Sequence, residues 1–152
     1  MRDYIIMTDS CCDMTAQMAE ELDINVIPLS LLIGEISYRN YLDGREIGFK
    51  EFYDRVREGS MPTTSAVSVG DFEEAMRPFL AAGKDILCLN FSSALSTTYQ
   101  SAVIAAESLR EEFPEAKIYA VDTLSASLGP VYLSLCPAEE SRQNHRRGPC
   151  LR

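Results

Sequence analysis

The sequence predicts an α/β fold in which a parallel sheet is flanked by helices on both faces. Three observations carry that expectation. Apolar strand-like runs alternate with helical patterns, as in chains built from βαβ units. The runs YIIMT, DILCLNF and KIYAVD are apolar almost throughout, as strands buried on both faces are. A chain of 152 residues with 46% hydrophobic content is large enough for one domain with its own core.

The elements follow in order. YIIMT (4–8) reads as a buried strand ending in TDS. Thr15 is placed to cap a helix whose apolar positions Met18, Ala19 and Leu22 recur at helical spacing. INVIPLSLLI (24–33) reads as one strand that runs to Gly34 and enters a hairpin with ISYR. Phe49, Phe52, Tyr53 and Val56 share one face of a helix over 48–58, which Gly59 stops. MPTTSAVS (61–68) reads as a hydroxyl-rich loop, and 71–83 as a helix with a proline kink and a glycine end. DILCLNF (85–91) is a second strand. A long helix spans 96–113, with Thr97 and Gln100 spaced for a capping box, and KIYAVD (117–122) is a third strand.

Composition excludes several functions. The net charge of −9 disfavours nucleic acid and anionic membrane surfaces, both of which need basic patches. No apolar stretch is long enough for membrane insertion, and MRDYIIMTDS lacks the pattern of a signal peptide, so a cytoplasmic protein is expected. The five cysteines, Cys11, Cys12, Cys88, Cys136 and Cys150, form no CxxC pair and read as reduced buried or turn thiols. The single histidine, His145, leaves a serine nucleophile without a base and a metal without ligands. No phosphate-binding GxxxxGK[ST] or GxGxxG run is present, and no cofactor is expected.

What remains is an accumulation of hydroxyls where strands end. In open parallel sheets, ligands bind outside the carboxyl ends of the strands. Thr8, Asp9 and Ser10 follow the first strand; Ser92 and Ser93 follow the 85–91 strand; Thr123, Ser125 and Ser127 follow the 117–122 strand. The loop with Thr63, Thr64 and Ser65 can fold over the same edge. Helix N-termini with free N–H groups, joined by Ser and Thr hydroxyls, form a site for an anion. Each cluster taken singly is an ordinary helix cap. Lys50, Lys84 and Lys117 are remote in sequence from these motifs, so neutral donors without a fixed cation point to a single charge such as a carboxylate. The alternative is a magnesium-dependent enzyme or sensor for a small phosphorylated compound, with Asp9, Asp13 and Asp122 holding the ion.

TDSCCDM (8–14), VIPLSLLI followed by SYR, PTTSAVSVGDF (62–72), SSALSTTYQSA (92–102) and VDTLSASLG (121–129) resemble, in order and spacing, the DegV family of fatty-acid-binding proteins. The resemblance covers about residues 3–129, the family's N-terminal domain. It implies a binding protein rather than an enzyme. A long-chain fatty acid lies in a tunnel, its carboxylate held by Thr63, Thr64, Ser65, Ser92, Ser93 and Ser96, with Asp9, Ser10 and Ser125 as secondary positions. It also implies a possible partner, a fatty acid kinase subunit that makes the acyl phosphate. Ala94 and Thr97 stand where the family carries glycines, and TTSAVS and TDSCCD replace its usual TTSQPS and TDSTAD.

Residues 130–152 do not fit this pattern. They hold four Arg and two Glu, a net of +2, against −11 for residues 1–129 with 10 basic and 21 acidic residues. Read one base later, the codons for Cys136–Cys150 permit ARRKKAGKTIEEARA, a basic helix end, a glycine stop and a capping box. A reading-frame slip between about Pro130 and Cys136 is therefore expected, with the family's second domain lost. A coding sequence whose shifted frame closes at once would refute it. Such a truncated chain is expected to bind lipid weakly and to expose apolar surface.

Overall fold

The computed structural model describes residues 2–127. The expectations for 130–152 lie outside these residues. Four strands form a parallel sheet: β1 (Tyr4–Asp9), β2 (Ile24–Ile27), β6 (Asp85–Asn90) and β7 (Ile118–Asp122), in the order β2-β1-β6-β7. The register aligns Ile6 with Ile24 on one side of β1, and Ile5 with Ile86 on the other. Three further strands, β3 (Ser30–Ile33), β4 (Ile36–Arg39) and β5 (Thr63–Ser65), form a separate antiparallel sheet in the order β4-β3-β5.

The helices are α1 (Ala16–Leu22), α2 (Phe49–Arg57), α3 (Val69–Ala81) and α4 (Thr98–Glu112). α3 and α4 cover one face of the parallel sheet. There Phe72, Met76 and Leu80 of α3 and Ala102, Ala105, Ala106 and Leu109 of α4 meet Ile5, Met7, Ile86, Cys88 and Ile118. The alanines keep α4 narrow on its inner side, which lets it lie close to its neighbours. The opposite face is covered by α1 and the short 3-10 turn Ser10–Cys12, where Ile6, Ile24 and Leu89 pack with Cys12, Met14 and Leu22. That cover stops short of the β7 edge: Tyr119 is 56% and Val121 37% exposed.

Several expected caps form. Thr15 Oγ1 accepts from the Met18 N–H at 3.1 Å, although Met18 itself points largely outward. Gly59 takes a positive φ just after α2. The run expected as one strand over 24–33 is two. Pro28 has no N–H to continue a ladder, and the Leu29 N–H is taken by Ser10 Oγ at 3.1 Å, so β3 leaves the parallel sheet and pairs antiparallel with β4. The loop expected over 61–68 contains strand β5, which pairs with β3. No side-chain cap is made by Thr97; the Thr98 N–H bonds Ser96 Oγ at 3.2 Å instead. A capping box does form at α3, between Ser68 and Asp71, two residues earlier than the helix was expected to begin.

The antiparallel sheet and α2 make a small lobe with their own cluster of Leu31, Ile33 and Ile47, against which Tyr38 and Phe52 pack. The lobe leaves the body after β2 and returns before α3. It is joined to the body by Ser10 Oγ, which accepts from Leu29 N–H and Asn40 Nδ2, and by the Arg39–Asp71 ion pair at 2.5 Å.

Candidate functional site

In the parallel sheet β1 connects outward to β2, whereas β6 lies on the other side of β1. Chain direction around the sheet therefore reverses between β1 and β6. A crevice forms at the carboxyl ends of such strands, where α/β sheets hold their ligands. Asp9, the last residue of β1, stands there and is buried. Its Oδ2 accepts from the Phe91 N–H at 2.9 Å and its Oδ1 from the Cys11 N–H at 3.0 Å. One carboxylate thus fixes the start of two loops. Burial, the largest influence, pushes the Asp9 carboxyl above its usual value, and those N–H bonds oppose the shift.

The third loop, after β7, is stitched to the second. The Ser92 N–H donates to the Ser125 carbonyl at 3.0 Å, and Thr123 Oγ1 donates to the Asn90 carbonyl at 2.8 Å. The Ser93 N–H and the Leu124 N–H both donate to Asp122 Oδ1, at 3.1 and 3.0 Å. The Asp122 carboxyl is held below its ordinary value, by the Ser93 side chain first and then by the Leu124 and Ser93 N–H groups. Ser127 donates its hydroxyl to Asp13, which ties the third loop back to the first. The hydroxyl clusters after β1, β6 and β7 therefore meet, as expected from the sequence.

Individual positions differ in what they offer. Ser92 is buried and turns the loop, its Oγ accepting from Ala94 N–H and its carbonyl from Leu95 and Ser96 N–H. Ser93 is exposed; Ser96 is half-buried and shares a hydroxyl contact with Thr98 at 2.9 Å. Ser10 is committed to the lobe, and Ser125 Oγ donates to the Thr123 carbonyl at 3.0 Å. Ala94 and Thr97 are not among the residues of positive φ, so neither position needs glycine here.

Thr63, Thr64 and Ser65 are all exposed on β5, and strand alternation divides them. Thr64 stands opposite Leu31 and shares its face, toward α2. Thr63 and Ser65 stand opposite Leu32 and Ser30 and point to the other face. Thr64 lines a cavity of about 270 Å³ with Leu31, Ile47, Phe52 and Tyr53, and with Asp13 and Arg39 at its polar end. Ser92, Ser93 and Ser96 are not among its lining residues. The sequence reading missed Arg39 as a cation near a hydroxyl motif. SYR read as a hairpin arm and as part of the family resemblance, neither of which marks a site cation, and the break at Pro28 has no periodic signal.

Asp9, Asp13 and Asp122, the positions considered for magnesium, have separate partners. Among the described residues no group of three acidic, His or Cys side chains is gathered as metal ligands. Burial disfavours the thiolate form of the described cysteines. Burial is the largest cause that pushes Cys11 up to about 12, and it also raises Cys12 and Cys88. No helix among the described residues is long and apolar enough to cross a membrane.

Comparison with known proteins agrees with this architecture. Residues 4–146 match the family described as "Uncharacterised protein, DegV family", a match that runs past residue 129. A DegV domain-containing protein of Clostridium perfringens is 44% identical over 129 residues, covering 85% of this chain and 44% of its own length. One from Streptococcus pyogenes is 40% identical over 136 residues, covering 90% and 47%. The chain thus spans less than half the length of these curated relatives. Among solved structures, a fatty-acid-binding DegV family protein from Thermus thermophilus superposes with a TM-score of 0.79 at 35% identity, covering 95% of this chain and 49% of that one. A stearic-acid-binding protein from Eubacterium ventriosum gives 0.78 at 30% identity, covering 95% and 48%. By the extent of the family match and by fold, this chain belongs to the DegV family.

Proposed function

We propose that the chain binds a fatty acid by its carboxylate and performs no chemistry on it. The observation that carries this reading is the stitching together of the loops at the carboxyl ends of β1, β6 and β7. It presents Ser93, Ser96 and nearby backbone groups at the start of α4 beside the Asp122 carboxylate, with no group of three acidic, His or Cys side chains gathered as metal ligands among the described residues. A carboxylate is satisfied by two or three such donors. Solved relatives at 30% identity and above bind fatty acids, which supports the same ligand class here.

Ser92, Ser93 and Ser96 on one side and Thr63, Thr64 and Ser65 on the other are the proposed carboxylate contacts, with Asp9, Ser10 and Ser125 holding the loops. Thr64 is the β5 hydroxyl that shares a cavity with apolar side chains. The bound acid is offered to a separate fatty acid kinase, which makes the acyl phosphate.

Burying each methylene contributes about 0.8 kcal/mol, so a long acyl chain binds tightly only when covered along its length. The open β7 edge and exposed Leu95 (66%) and Leu124 (75%) show how much apolar surface lies uncovered around the crevice. The 152-residue chain is therefore expected to hold palmitate weakly. Titration followed by native mass spectrometry checks this: weak, saturable binding that Ser93→Ala and Ser96→Ala together reduce at least ~5-fold, as lost charged-group hydrogen bonds do. Tight binding of palmitate overturns the weak-binding expectation, and no binding of any fatty acid overturns the ligand class.

A further inference from the structure

The two faces of the parallel sheet are covered unequally among the described residues. Parallel sheets in folded proteins are covered on both faces. α3 and α4 pack across all four strands on one face. On the other, α1 and the Ser10–Cys12 turn leave a strip of β6 and β7 bare, with Leu87 half-buried and Tyr119 and Val121 exposed. The register sets Leu87 beside Tyr119 and Leu89 beside Val121, so these side chains share that face. Tyr4, Leu87 and Tyr119 line a hollow of about 270 Å³ there, together with the Arg2–Asp85 ion pair at 3.5 Å.

The chain itself leads onto this strip. Ser127 donates its hydroxyl to Asp13, which directly follows the Ser10–Cys12 turn on the same face. The last described residue therefore stands at the carboxyl end of the strip, on its side of the sheet. β7 covers Ile118–Asp122. Its length is about 17 Å, well within reach of residues 128–152. Their apolar run, VYLSLC (131–136), comes first, and Arg142, Arg146 and Arg147 follow. Asp3, Glu20, Glu21 and Asp23 are exposed around the amino end of the sheet, where a chain that crosses the strip arrives.

We propose that residues 131–136 lie along this strip and cover Leu87, Tyr119 and Val121, which brings the arginines after them to the acidic amino end of the sheet. The occupant is this segment and not a second copy for two reasons. It starts beside the strip, tethered through Ser127, and residues 130–152 carry +2 against −11 for the rest, whereas a second copy repeats the same negative charge. Ser93 and Ser96 lie outside the strip, so this cover and the fatty-acid reading stand or fall separately.

Native cysteines test the cover in the full 152-residue chain. Cys136 ends the apolar run and Cys150 lies beyond it. Maleimide labelling is read by peptide mass spectrometry, each rate being divided by that of the same thiol in urea. Cys136 is expected to label at least ~10-fold more slowly than Cys150, as groups that react only on local opening do. Tyr119→Asp and Val121→Asp, at two points of the strip, should each abolish the difference. Cys88, buried in the core, stays unlabelled in every chain whose body is folded. Equal rates for Cys136 and Cys150 in the parent chain overturn the proposal. Protection of Cys136 that survives in a folded strip variant also overturns it, because the run is then covered elsewhere. So does protection that fades on dilution, because a second copy is then the cover.

Discussion

Thr8 and Asp9 are adjacent in sequence and both buried, yet their polar groups fare differently. Asp9 has two N–H donors. Thr8 is 1% exposed and its Oγ1 has no hydrogen-bond partner. A buried hydroxyl without a partner costs about 1–3 kcal/mol by mutational measures. Thr8→Val keeps the shape and removes the hydroxyl, so it is expected to be neutral or to stabilise by about 1 kcal/mol, read from urea unfolding. A clear loss of stability would mean that the hydroxyl is satisfied in solution. TDS was legible as a strand end. That Asp9 joins two loops was not legible, because its partner Phe91 lies 82 residues away.

Among elements, α3 and the lobe's edge show what one carboxylate can join. Asp71 closes the capping box with Ser68 and pairs with Arg39 of β4. Arg39, the largest influence, holds the Asp71 carboxyl down at about 2, against an ordinary 3.8. For a depressed carboxyl, the stability it contributes is present above the unfolded value and is lost as pH falls from 3.8 toward 2. Asp71→Asn is expected to destabilise by about 2 kcal/mol at neutral pH, the scale of hydrogen bonds to a charged group. The gap between variant and parent should close across that acid window; a gap that persists at pH 2 counts against the assignment. Helices were legible from apolar spacing and caps to within two residues. The split of 24–33 was not, because INVI and SLLI are equally good strand sequences, and only the loss of a donor at Pro28 together with Ser10 decides between them.

Across the whole molecule, the α/β body was legible because its strands are uniformly apolar and alternate with helices. Of the lobe, the hairpin of β3 and β4 and the helix α2 were legible too, whereas β5 was not, since TTS carries no apolar signal at all. The same limit applies to the site. Hydroxyl clusters could be counted in the sequence, but the division of Thr63, Thr64 and Ser65 between two faces depends on the register of β5 with β3.

The lobe's separate cluster has a consequence for how the protein opens. α2 has no buried residue, whereas α4 buries Thr98, Ala102, Ala105, Ala106 and Leu109. Local opening follows the amount of buried apolar contact. The lobe should therefore unfold as its own cooperative unit while the body stays closed. Native-state hydrogen exchange reads this directly. Amides of α2 and β4 should exchange together and well before those of α4, and a single shared protection level would show the chain opening as one. A protein built this way can bare the inner face of its lobe at a fraction of its global stability.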